Sequence, residues 1–508
     1  MTTQLTLTPV SSIPFTPPYS LANISIYNVK DYAAKGDGLT NDAVAIQAAD
    51  TAAAAANGVV LFPAGSYLIR AGISQSAPWY GAPGSVTIVI DSTFVAGVSG
   101  VSSLGAIWNA DYDTAFNATT ANRIEHHGIN VHHTNGATGV PSTFWFGNTS
   151  LILFDDCYLL TDGASITTPL QCYAANQRVI IQSNTRIVNA TGQTTGLTVQ
   201  IKNSCGAAGA TSRTEQVSID ASCYLEGNCS DEVLAIYAED GYVGNVHVSC
   251  KIAHVAGGST AGRVVDFFGS VAAPTAYTLL ENVTFDGEVV VDDFTVDIVG
   301  VGLAGDTSTL RNIKISPHIT CAVSASGTTA AINHQSAVSN CVVSGATIIN
   351  TGTVALTYGI RSFGLVTNNM ITGKFSQGIS GCSSARDNNI SLTSGGIGVY
   401  DCGSSSGNVI SGVATGVLCD TTDHYQIYGN RITLGVSAGV GCVTWQAPGG
   451  AAPSVTVTGN TLETTAGGQT AITGAGTAAP RIGLNTWING GGTYSSLATA
   501  NAWTVADG

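Results

Sequence analysis

The chain has 508 residues, of which only 10% are charged, and carries a formal net charge of −15 with 61 glycines and just two methionines. That acidity excludes a nucleic-acid surface, whose phosphates call for Lys and Arg, and no run of 18 apolar residues offers a membrane span. A chain rich in Val, Ile, Thr, Gly and Asn suits many short strands joined by tight turns, and it can form one long body if each repeat touches only its neighbours.

Residues 1–28 read as an irregular arm, because Pro9, Pro14, Pro17 and Pro18 deny it a stable helix. The arm lacks the basic and apolar regions of a secretory signal, so the twelve cysteines are expected to be free thiols rather than a disulfide framework. Next comes a compact pattern from Val29 to Ile69. Gly36-Asp37-Gly38 is a tight turn, Asn41 or Asp42 supplies an N-cap, and a helix follows over 43–56. Asn57-Gly58 ends the helix, and the apolar strand Val59-Val60-Leu61-Phe62 is closed by Pro63-Ala64-Gly65. Residues 29–80 then form a cap and first rung, 81–490 a solenoid body, and 491–508 a small polar tail.

A capped, Ala-rich helix followed at once by a strand and a Pro-Gly turn resembles the entry segment of the pectate-lyase-3-like, right-handed parallel β-helix family. That family includes phage tailspikes and polysaccharide-degrading enzymes. The resemblance implies an all-β, single-stranded, right-handed parallel β-helix whose open end is plugged by the helix, assembled as a homotrimer. It further implies a tailspike in the virion tail that recognises and depolymerises a bacterial surface polysaccharide, capsule or O-antigen. The arm at 1–28 would then reach a phage tail or baseplate protein. The alternatives are a stand-alone glycan hydrolase or lyase of the same fold, and an adhesive spike without catalysis.

The repeat is visible as an Asn preceding an apolar alternation, at Asn245, Asn282, Asn312, Asn340, Asn369, Asn389, Asn408, Asn430, Asn460 and Asn485, with a shortest spacing near 20. Such intervals fit rungs of a β-helix with loops inserted into some of them, the Asn serving a sharp bend. From Cys321 onward the cysteines recur at gaps of 20, 41, 20, 17 and 23, as stacked small hydrophobes would. A second register is the pair Gly359-Ile360, Gly378-Ile379, Gly398-Val399, Gly416-Val417 and Gly439-Val440. Alternation along a strand then puts Arg361, Ser380, Tyr400, Leu418 and Gly441 in one outward column, extended N-terminally by Tyr237, Asp266 and Asn333.

Chemistry is expected where the acids gather, since 15 of the 32 Asp and Glu residues lie between Glu215 and Asp306. Glycoside hydrolysis commonly uses two carboxyl groups facing one bond, and matching positions on successive rungs lie about 4.8 Å apart. Glu239, Asp240 and Asp266 are the candidate catalytic set, with Tyr237, Phe268, Asn333, Arg361 and Tyr400 as substrate-binding residues. The bland alternative is a set of solvated carboxylates near Arg263 and Lys251. Asp155-Asp156 matches the paired aspartates of polygalacturonases, but the other signatures of that family are absent. Glu125-His126-His127 with His132-His133 suggests a metal only if His126 and His132 share a face. No third ligand has zinc-type spacing, so no metal or cofactor is expected.

Overall fold

The computed structural model describes residues 24–91 and, with interruptions, 108–495. Residues 1–23 of the arm and Asp240 lie outside the described residues. One full turn of the chain shows the plan. Tyr224–Gly227, Leu234–Glu239 and Tyr242–Val248 are followed by Lys251–His254, Val265–Ser270 and Thr278–Phe285. Each strand pairs in parallel with its counterpart one turn later. Repetition of this step builds three parallel sheets. The first contains Tyr242–Val248, the second Tyr224–Gly227 and the third Leu234–Glu239. The first and third join where Ala330–Ser344 and Leu356–Thr367 run through the corner between them. The architecture is the expected parallel β-helix, and the general rule for parallel crossovers gives it a right hand.

Side chains inside the coil stack in like-with-like columns, because the parallel register is unbroken from rung to rung. In the second sheet Ile319, Ile348, Ile371, Ile390, Ile410 and Ile432 pair in sequence, all buried. Their γ-methyls explain the glycine register in the opposing third sheet. A Cβ on Gly398 would lie 2.4 Å from Ile410 Cγ2, and one on Gly416 2.3 Å from Ile432 Cγ2. Glycine there is a packing requirement, since only a bare backbone fits so close to the isoleucine column. The fifth member of that register differs from expectation. Gly439 and Val440 lie outside the described residues, and the inward partner of Val417 is Val443. Thr444, not Gly441, therefore continues the outward column.

The asparagines form two columns rather than one. Asn369, Asn388, Asn408, Asn430, Asn460 and Asn485 each sit one residue before a second-sheet strand, at a sharp corner. Their amides bond in series: Asn388 Nδ2 donates to Asn408 Oδ1 at 2.9 Å, Asn408 Nδ2 to Asn430 Oδ1 at 2.9 Å, and Asn430 Nδ2 to Asn460 Oδ1 at 3.0 Å. The ladder member is Asn388, not Asn389, which points outward and is exposed. Asn245, Asn282 and Asn312 belong elsewhere. They occupy positive-φ bulges within first-sheet strands, on the exposed side, where their own amides link at 3.3 and 3.0 Å. In earlier rungs the same corner is filled by Cys157, Cys223 and Cys250, each one residue before a second-sheet strand. All ten cysteines among the described residues are buried free thiols, as the rung-like gaps suggested.

The helix spans Ala43–Ala55, and its inward residues Ile46, Ala49, Asp50 and Ala53 close the end of the coil. Asn41 Oδ1 accepts from Ala43 N at 3.2 Å, while the Asp42 carboxylate turns back to the Lys35 and Gly36 amides. Asp50 docks the helix by accepting from Ser76 N, Ala77 N and the Trp79 indole N–H at 2.8, 3.1 and 2.7 Å. The coil extends beyond the expected limit at 490, because Thr493–Ser495 still pairs with Thr470–Gly474.

Asn408→Ala removes the acceptor of the buried Asn388 donors in the preceding rung and a donor to Asn430 in the next, and should cost about 3 kcal/mol, whereas Asn389→Ala should stay within about 0.5 kcal/mol. Thermal unfolding of the two variants measures the contrast; equal losses would remove the ladder from its structural role.

Candidate functional site

The third sheet presents the outward surface on which the expected site residues fall. Parallel register carries one column through Ala235, Asp266, Gly300, Asn333, Arg361, Ser380 and Tyr400. Asp266, Asn333, Arg361 and Tyr400 are thus aligned as expected. Tyr237 belongs to the neighbouring column, two residues along the strand, where it pairs with Phe268. The two rings meet edge to face with centroids 6.0 Å apart.

Glu239 and Asp266 are not at matching positions. Glu239 pairs with Ser270 and Asp266 with Ala235, so one rung and four residues separate them, roughly 14 Å between backbones. The expectation of acids stacked on successive rungs is corrected: the shared strand face is real, and the shared position is not. Both nevertheless line one open groove of about 300 Å³, with Lys202, Tyr237, Arg263, Phe268 and Ser270.

Each groove acid has its own cation. Lys202 Nζ lies 2.6 Å from Glu239 Oε2, and Arg263 Nη1 donates to Asp266 Oδ2 at 2.7 Å. Asp266 is almost fully buried, and this burial pushes its carboxyl up to about 6. The Arg263 guanidinium and the Tyr237 hydroxyl pull against the rise, and the Asp297 charge adds to it. Asp297 stands 3.7 Å from Arg263 Nε and accepts from Asn333 Nδ2 at 2.7 Å. Lys202, Asp297 and Gly300 were absent from the sequence-derived site; the parallel register that reveals them depends on loop lengths between strands. Farther along the column, the Arg361 guanidinium lies 4.6 Å from the Tyr358 ring centroid, and Tyr400 donates to Asp420 at 2.8 Å.

His126 and His132 do not share a face: His126 belongs to a first-sheet strand and His132 to a second-sheet strand, and among the described residues no group of three or more His, Cys, Asp or Glu side chains is arranged to hold a metal ion. His126 is enclosed by Phe144, Phe154 and Trp79, and burial pushes its imidazole down to about 3. His127 points the other way, into a charged cluster. Its Nδ1 lies 2.9 Å from Asp155 and its Nε2 3.1 Å from Glu125, while Tyr80 stacks on the ring at 4.2 Å. Arg123 pairs with Glu125 from outside.

Burial opposes charge on His127, but the two carboxylates raise its pKa above the ordinary value. Burial would also raise Glu125, yet His127 and Arg123 hold it below its usual range, and His127 chiefly lowers Asp155. A raised imidazole stabilises the fold below its unfolded pKa, and that contribution fades as pH rises through the folded value. The depressed carboxylates act oppositely, their contribution fading as pH falls through their folded values. As pH rises above the ordinary histidine value of about 6.5, the native chain should lose more melting temperature than His127→Gln. Identical pH slopes in the two proteins would contradict a charged His127.

A profile describing proteins of the type "Rhamnogalacturonase A/epimerase, pectate lyase-like" matches residues 26–258. The match covers a little under half of the chain, and the continuous three-sheet coil agrees with a pectate-lyase-like parallel β-helix fold. Among curated proteins, the mannuronan C5-epimerase AlgE5 of Azotobacter vinelandii is 55% identical over 51 residues, 10% of this chain and 5% of its own length. AlgE4 of the same organism is 42% identical over 73 residues, 14% of this chain and 12% of that protein. The chain thus spans only a small part of the curated relatives it matches. Among solved structures, the N-terminal fragment of bacteriophage Phi29 gene product 12 is 13% identical, covering 92% of this chain and 72% of its own, with a TM-score of 0.44. The Yersinia enterocolitica family 28 exopolygalacturonase is 11% identical, covering 95% and 79%, with a TM-score of 0.36.

Proposed function

We propose that this β-helix binds a polysaccharide along the outward column of its third sheet and cleaves it in the groove between Glu239 and Asp266. The observation that carries this reading is the groove itself: two carboxylates, two cations and two edge-to-face rings on one sheet face. Tyr237 and Phe268 offer apolar surface to sugar rings. Rungs about 4.8 Å apart supply regularly spaced contacts, so a polymer lying along the coil axis would pass Asn333, Arg361 and Tyr400 in turn. The short, closely matching segment shared with enzymes named as mannuronan epimerases supports a glycan as ligand.

In this reading Asp266, whose pKa is pushed up to about 6, is the general acid that protonates the leaving oxygen. Glu239 is the carboxylate across the groove. In this reading Glu239 activates the water that attacks the anomeric carbon. The resemblance of Val29–Ile69 to tailspike caps supports a phage setting, a homotrimer and a bacterial capsule or O-antigen as the polymer. The arm at 1–28 then serves attachment to a tail or baseplate protein.

Incubation of the purified chain with capsule and lipopolysaccharide preparations should release new reducing ends. Asp266→Asn and Glu239→Gln should each slow release by roughly 10²–10⁴-fold while binding persists. Full activity in both variants would move the chemistry elsewhere. Binding without cleavage by the native chain would instead identify an adhesive spike, and an unsaturated product would identify a lyase.

A further inference from the structure

The residues two positions before three consecutive third-sheet strands are Glu232, Arg263 and Asp297, preceding Leu234, Val265 and Val299. All three side chains are largely or wholly buried, so this corner holds an acid–base–acid stack across three rungs. Arg263 does not simply face its neighbours. It lies along the sheet over Gly300, where a Cβ would stand 2.0 Å from Arg263 Cδ and 2.5 Å from Nε. Gly300 occupies the position between Asp266 and Asn333 in the outward column, so the missing side chain leaves a seat for the arginine. From that seat Nη1 reaches Asp266, while Nε faces Asp297, which Asn333 holds from the rung beyond.

We infer that Asp297 and Gly300 are positioning residues for the groove acid: Gly300 seats Arg263 against Asp266, and Asp297 competes with Asp266 for that single guanidinium. The inference rests on the reading of Asp266 as the acid only for its catalytic meaning; the electrostatic arrangement stands on the contacts alone. Two buried carboxylates share one cation, so Asp266 is incompletely neutralised and can hold a proton that a simple one-to-one pair would expel. The groups facing Asp266 are Arg263 from its own rung, Tyr237 from the preceding rung and Asp297 from the following one. Glu239 and Lys202 lie farther along the groove, and Glu232 flanks the far side of Arg263.

Opposite changes at the two positions should therefore have opposite effects. Asp297→Asn removes the carboxylate that shares Arg263 from the following rung and should lower the Asp266 titration midpoint by about one unit. Gly300→Ala evicts Arg263 and should raise the midpoint by at least a similar amount, about one unit. The full-length chain labelled with 13C at aspartate carboxyls provides the readout, with the Asp266 resonance assigned by its loss in Asp266→Asn. A merely structural role would perturb melting temperature without shifts of opposite sign. An unchanged midpoint in Asp297→Asn, or a fall in Gly300→Ala, overturns the inference. If Asp297→Asn does not fold, Gly300→Ala alone decides by the sign of its shift. The titration needs no substrate, so opposite shifts uphold the inference even where Asp266→Asn retains full cleavage, an outcome that refutes only the catalytic reading.

Discussion

Parallel backbone hydrogen bonding between successive turns is the constraint on which everything else in this molecule depends. It holds equivalent residues at one spacing, rung after rung, and thereby turns the sequence into columns. A column inside must be chemically uniform or mutually satisfied. The isoleucine stack meets the first condition, and the asparagine ladder meets the second by passing each amide donor to the next carbonyl. Corner residues show how the solution changes along the coil, with thiols at Cys157, Cys223 and Cys250 in some of the early rungs and amides in the later ones. A thiol fills the corner as a small hydrophobe, while an amide adds bonds to a neighbouring rung and tolerates no unpaired member.

The same rule organises the outer surface of the third sheet, with a different result. Columns there need not be uniform, so charge, aromatic surface and bare backbone alternate from rung to rung. Gly300 between Asp266 and Asn333 is the informative case. In the interior, glycine admits an isoleucine methyl; on the groove side, it admits an arginine stem. Both uses follow from what a Cβ would strike, and neither depends on an unusual backbone angle. The groove is thus a local exception to solvated packing, with a guanidinium held flat between two buried carboxylates.

Much of the architecture was legible in the sequence because its signals are local. The helix cap, the Pro-Gly turn and the near-20 spacing each arise within one rung, and the structure contains all three. Register across rungs was less legible. Adjacent asparagines look alike in a string, so the sequence does not separate Asn389 from Asn388, and only the corner geometry distinguishes the buried one. Asn245, Asn282 and Asn312 share the motif but occupy bulges in another sheet. Gly441 was misplaced for a related reason, since a longer insertion preceded its strand. At the site, the acidic density led to the correct face and the wrong pairing. Asp266 aligned with Asn333 and Arg361 as read, whereas Glu239 fell opposite Ser270. Lys202 and Asp297 had no sequence signal, because each lies about 35 residues from the partner it contacts, and loop lengths set that distance.

The central claim is that a polysaccharide lies along the third-sheet column with its scissile bond at Asp266. A crystal structure of Asp266→Asn with bound fragments of the polymer cleaved by the native chain tests this most directly. The account predicts sugar rings running parallel to the coil axis, one against Tyr237 and Phe268 and others over Asn333 and Arg361. Fragments seated on the first or second sheet, or running across the rungs, would contradict it.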